Sequence, residues 1–88
     1  MNSADKKKLR AEAHTLKPVV MVGQSGFTAA VIAEIEQALA SHELIKVKIR
    51  AEREERKLIS EKICTDTGAE LIQTIGQIAV IYRLNPDK

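Results

Sequence analysis

The 88-residue sequence predicts a two-layer α/β sandwich, in the order helix–strand–helix–strand–helix–strand–strand, with a mixed four-stranded sheet and its helices on one face. Three observations carry this. Leu44 to Arg50 is the cleanest strand, with Ile45, Val47 and Ile49 on one side and Lys46, Lys48 and Arg50 on the other, as in a strand with one wet face. Helical apolar spacing separates the first strands, and such crossovers make parallel neighbours. Two apolar runs around Gly76-Gln77 close the chain as a hairpin, which adds an antiparallel pair.

In chain order, Ser3 can cap a first helix whose apolar stripe is Leu9, Ala13 and Leu16. Pro18 stops it, since the residue before a proline is pushed out of helical backbone. Val19 to Val22 read as a short strand buried on both faces. Thr28 is a good N-cap for a second helix, with Val31, Ile35, Ala38 and Leu39 inward and Glu34, Glu36 and Gln37 towards water. A third helix covers about Arg53 to Thr67, with Leu58, Ile59, Ile63 and Cys64 inward, and Gly68 ends it in left-handed backbone. Glu70 to Ile75 and Ile78 to Leu84 form the hairpin, its Gly76-Gln77 turn suiting type II′ geometry and pairing Glu70 with Arg83. Two sets compete for its buried face: Leu71, Ile75, Ile78 and Val80 against Ile72 and Ile81. A tail begins at about Asn85.

The length suits one domain spanning residues 1–88, burying roughly 60–65% of its unfolded surface. The single Cys64 cannot form an internal disulfide, which fits a reducing cytoplasm, and its place in an apolar helical pattern makes it a core residue. No stretch approaches the roughly 18 apolar residues of a membrane span, and no signal peptide is expected. The formal charge of +2 is unevenly distributed: residues 1–26 carry +3, 27–43 carry −3, 44–50 carry +3, 51–70 carry −2 and 71–88 carry +1. Alternating blocks can place one sign on one face, although a mixed solvated surface has the same counts.

The segment VVMVGQSGFTAAV raises the functional question. Gly23 and Gly26 carry no Cβ, so backbone there can approach a ligand closely and adopt positive φ. Unpaired amides of the following helix and its dipole favour an anion such as phosphate. The same loop type clamps nucleic-acid backbone in KH domains. Two glycines also serve many strand-to-helix turns for geometry alone. Phe27 and Thr28, following Gly26, rule out a Walker A loop, and the third glycine of the dinucleotide fingerprint is missing. Lys17 precedes the strand, and Lys6, Arg10 and His14 recur along the first helix. With Phe27 and Tyr82 the only aromatic residues, contact with a phosphate backbone is expected rather than readout by stacked bases.

Nothing resembles a catalytic constellation. Gly23-Gln24-Ser25-Gly26 is not a nucleophile elbow, and no His–Asp pair is placed to activate Ser25. His14 and His42 lack metal-ligand spacing and read as surface residues. Glu52, Glu54 and Glu55 open a helix, where acids suit the dipole. Neither a metal, a cofactor nor a small-molecule substrate is expected.

LRAEAHTLKPVVMVGQSGFT, followed by ELIKVKI and then IGQIAVIYR, resembles the CRM domain in its bacterial single-domain YhbY-like form, over about Leu9 to Arg83. The resemblance implies a KH-related fold similar to the C-terminal domain of a translation initiation factor, RNA binding, and association with precursors of the large ribosomal subunit. Carried onto this chain, the family's loop is Gly23, Gln24, Ser25 and Gly26, with Lys17 and Lys46 among its basic neighbours. Family members often have a basic residue inside the loop, where this chain has Gln24 and Ser25. The expectation is therefore a non-enzymatic, cytoplasmic protein binding ribosomal RNA. Its loop seats phosphate, while Lys17, Lys46, Lys48, Arg50, Lys6, Lys7 and Arg10 neutralise neighbouring charge. The alternative is an adaptor for a ribosomal protein or assembly factor.

Overall fold

In the computed structural model, which describes residues 2–23 and 28–85, the elements run α1 (Ser3–Ala13), β1 (Pro18–Val22), α2 (Ala29–His42), β2 (Leu44–Ile49), α3 (Arg53–Thr67), β3 (Glu70–Ile75) and β4 (Ile78–Tyr82). The sheet order is β1-β2-β4-β3, with β1 parallel to β2 and the other pairs antiparallel. Element order and mixed sheet agree with the sequence reading. The allocation of helices to faces does not.

One face is the expected one. Val20, Val22, Ile45, Val47, Ile49, Ala79 and Ile81 meet Ile35 and Leu39 of α2 and Ile63 of α3 in the main core. Val31 and Ala38 pack at its edge, so the predicted inward face of α2 holds, and Thr28 caps that helix by accepting from the Val31 amide. The first helix lies across the opposite face. Ala13 is buried with Leu44, Ile72 and Val80, and Leu9 packs beside them. The sheet is thus covered on both sides over part of its area, because Leu44, Ile72 and Val80 make a second apolar patch that needs a cover. The cap of α1 is Asn2 rather than Ser3: its side chain accepts from the Asp5 amide at 2.8 Å.

The first helix lies over β2, β4 and β3 but leaves that face of β1 exposed, against the expectation of burial on both. Val20 and Val22 are buried, whereas Val19 and Met21 are each 52% exposed. Pro18 opens the strand, a position where a missing amide costs no ladder bond.

The inward side of α3 is set by Ser60, Ile63 and Thr67, with Ile59 and Cys64 partly covered; Leu58, expected inward, is 65% exposed. Burying two hydroxyls is tolerable here because each is satisfied within its own helix. Ser60 Oγ donates to the Arg56 carbonyl and Thr67 Oγ1 to the Ile63 carbonyl, both at 2.7 Å. Gly68 ends the helix at φ +73, as read from the sequence. Burial pushes the Cys64 thiol up, and the Glu70 carboxylate adds to it, so the group stays protonated and unreactive at neutral pH.

The hairpin turns at Gly76 with φ +56. Its register slips between Leu71 and Gln73, so Glu70 pairs with Tyr82 and not with Arg83. The slip resolves the competing apolar sets: Leu71 joins the main core, and Ile72, one residue on, joins the second cluster with Val80.

Arg83 instead closes the molecule at the end of α2. Its Nη1 donates to Glu36 Oε2 at 2.7 Å and to the Thr67 carbonyl at 2.9 Å, one of the last carbonyls of α3. Glu36 is therefore engaged rather than simply solvated. Glu43, the residue after α2, sits at φ +61 without being glycine. Three bonds hold it there: its amide donates to the Leu39 carbonyl, its carbonyl accepts from Arg83, and Oε2 accepts from the Asn85 amide. Asn85, expected to begin a tail, is anchored a second time by its side chain on the Ala40 carbonyl. Arg83→Met should cost about 1–2 kcal/mol in urea unfolding, the lower part of the range for a charged hydrogen bond because Glu36 keeps 42% exposure.

Candidate nucleic-acid interface

The C-terminal ends of β1 and β2 and the tip of the β3–β4 hairpin meet at one corner. The Arg50 amide donates to the Val22 carbonyl at 2.9 Å, and the Ile49 amide donates to the Gln77 carbonyl at 2.7 Å. These two bonds clamp the end of β2 between its neighbours and fix where Lys48 and Arg50 leave the sheet. Both side chains line an open cleft with Gly23, Gln77, Ala51, Glu52, Glu55 and Ile59. The cationic wall comes from β2 and the acidic wall from the start of α3. An anion is accommodated on the first wall only.

Gly23 itself is informative. Among the described residues, a Cβ built on it meets nothing within 4 Å, and its φ lies outside the left-handed region. Neither packing against the described residues nor backbone conformation therefore demands glycine at this position, in contrast to Gly68 and Gly76 with their positive φ. The open space beside Gly23 lies on the cleft with Lys48 and Arg50. Gln24, Ser25 and Gly26, the rest of the sequence-predicted loop, fall outside the described residues.

The other candidate cations are dispersed. Lys46 is half-buried, and its Nζ donates to the Leu16 carbonyl at 3.0 Å, tying the chain entering β1 to β2. An ammonium has three donors, so this bond leaves two for a ligand. Lys17 lines a mainly apolar hollow with Glu12, Leu16, Val19, His42, Leu44 and Ile45 at the beginning of β1. An extended segment from there to Gly23 spans about 20 Å. Lys17 and Gly23 thus mark opposite ends of one strand. On α1, Lys7 and Arg10 are exposed and Lys6 is half-buried, while Leu9 and Ala13 hold the helix to the sheet.

Sequence reasoning missed Gln77 as a neighbour of this corner. Only the hairpin register and the antiparallel β2–β4 pairing bring it there, and the sole hint was a polar residue at the turn. No helix among the described residues is long and apolar enough to cross a membrane.

Comparison with known proteins then places the chain. The model of the CRS1 / YhbY (CRM) domain matches residues 1–83. A Haemophilus influenzae protein named an RNA-binding protein is 50% identical over 84 residues, covering 94% of this chain and 85% of its own length. A Pseudomonas aeruginosa protein named a probable RNA-binding protein is 42% identical over 87 residues, covering 98% and 84%. The solution structure of a hypothetical protein from Staphylococcus aureus superposes with a TM-score of 0.86 at 32% identity, over 97% of this chain and 90% of that one. A family model that spans nearly every residue and a shared fold at this identity agree: the chain belongs to the CRS1/YhbY (CRM) domain family.

Proposed function

We propose that this protein is a non-enzymatic RNA-binding protein of the cytoplasm that holds the phosphate backbone of ribosomal RNA and assists assembly of the large ribosomal subunit. The observation that carries the binding reading is Gly23. No described residue requires a glycine there, yet the open side lies on the cleft with Lys48 and Arg50, where a nucleic-acid backbone gains from close approach. The names of the Haemophilus and Pseudomonas relatives support RNA as the ligand. The ribosomal setting rests on the family resemblance of the sequence.

In this reading the amides of Gly23, Gln24, Ser25 and Gly26 seat a phosphate and Lys48 and Arg50 neutralise it and its neighbour. Lys46, Lys17 and the α1 residues Lys6, Lys7 and Arg10 extend the cationic surface towards the start of β1. Each phosphate contact on a single strand should contribute about −0.7 to the log–log slope of affinity against salt. A titration of ribosomal RNA over a range of salt concentrations should therefore fall steeply, and a flat line would remove the electrostatic mechanism. Gly23→Asp should weaken binding at least tenfold, on the order of a blocked close approach plus repulsion of phosphate, with little change in thermal midpoint because a Cβ there meets no described residue within 4 Å. Equal RNA affinity in that variant would show that the corner does not face the ligand.

A further inference from the structure

We infer that the sheet face beside this corner is a platform for unpaired nucleobases, so that the protein binds single-stranded RNA through its bases as well as its phosphates. This rests on the RNA-binding reading above. The strand registers align Met21 with Lys48, Lys48 with Ile78, and Ile78 with Ile75, one row crossing all four strands. These four side chains share the face on which α1 lies, since they alternate with the main-core residues Val22, Ile49 and Ala79. The first helix covers Leu44, Ile72 and Val80, but Met21 and Ile75, at the two ends of the row, remain 52% exposed and Ile78 is half-buried. Val19, also 52% exposed, extends the apolar surface along β1.

The chemistry of the row selects its occupant. It holds three apolar side chains and one lysine, and none of its four residues is acidic. The row also continues directly into the corner: Met21 is two residues from Gly23, Lys48 two from Arg50, and Ile75 and Ile78 flank Gly76-Gln77. A strand of RNA whose phosphates sit at Gly23, Lys48 and Arg50 has its bases within reach of this shelf. Aliphatic side chains give a base face van der Waals contact and exclude water, and because every base has such a face the contact is tolerant of sequence. Bases paired inside a duplex cannot present their faces, so discrimination follows between single and double strands.

The test compares an oligoribonucleotide with the same strand carrying abasic positions, which keeps every phosphate. Wild-type protein should bind the intact strand roughly tenfold more tightly, in line with aliphatic contact area removed from water. Met21→Ser with Ile75→Ser should lose most of that advantage on the intact strand while matching wild type on the abasic one and keeping the salt slope. Both residues are half exposed, so the variant should retain its thermal midpoint. Equal wild-type affinity for intact and abasic strands, a comparison that needs no variant, would overturn the platform while leaving phosphate binding in place. So would a double variant indistinguishable from wild type on the intact strand, the result expected if this face docks a protein. Failure of wild-type protein to bind either strand would remove the RNA reading itself and the platform with it.

Discussion

Replacing Lys48 and Arg50 together by glutamate is expected to lower RNA affinity by roughly two orders of magnitude at low salt and to flatten the log–log salt slope by about 1.4, the share of two single-strand phosphate contacts. The effect is large because two losses coincide. Two cations leave, and two carboxylates enter a cleft that already has Glu52 and Glu55 on its far wall. The cleft then repels phosphate from both sides. The fold should survive, since Arg50 is exposed and Lys48 half-buried, while the register of β2 is held by the buried Val47 and Ile49. The informative measurement is the slope, because a general loss of structure would lower affinity without a defined change in counterion release. An unchanged slope would mean that neither side chain meets a phosphate.

Those two cations were legible in the sequence because the chain alternates from Ile45 to Arg50, and alternation alone assigns Lys48 and Arg50 to one side. Their neighbours were not. Met21 and Ile75 come from other strands and Gln77 from the hairpin turn, and only the registers place them near Lys48 and Arg50. The same distinction runs through the fold. The inward face of α2 was readable, since Ile35 and Leu39 obey helical spacing with apolar side chains. The inward face of α3 was misread at Leu58 because Ser60 and Thr67 look polar in sequence but satisfy their hydroxyls on their own helix. The hairpin defeated a period-two reading because its bulge sends Leu71 and Ile72 to opposite cores. The cover provided by α1 had one hint, Leu44, an apolar residue on the lysine side of β2. Three basic residues on that side outweigh one leucine when a face is judged by its average.

Leu39→Ala should destabilise the protein by about 2–5 kcal/mol, whereas Leu58→Ala should cost no more than about 0.5 kcal/mol. The chemical change is identical in both, and both positions are helical, so intrinsic propensity cancels between them. What differs is surroundings. Leu39 has no exposure and sits among Ile35, Ile45 and Ile81 in the main core, where removing three side-chain carbons opens a cavity in close-packed surroundings. Leu58 is 65% exposed and leaves only water where its side chain was. For a domain whose total stability is on the order of 5–15 kcal/mol, the first substitution removes a large fraction of it. Urea unfolding of both variants, with m unchanged, reads the difference directly. Comparable losses at the two sites would require α3 to be rotated about its axis, with Leu58 inward. That rotation would carry Ser60 and Thr67 towards solvent, where their bonds to the Arg56 and Ile63 carbonyls would no longer be needed to support burial. Ser60→Ala should cost near zero to about 1 kcal/mol, because it removes a hydroxyl satisfied within its own helix. Ser60→Lys, by contrast, should be severely destabilising because it drives an unpaired charge into the core.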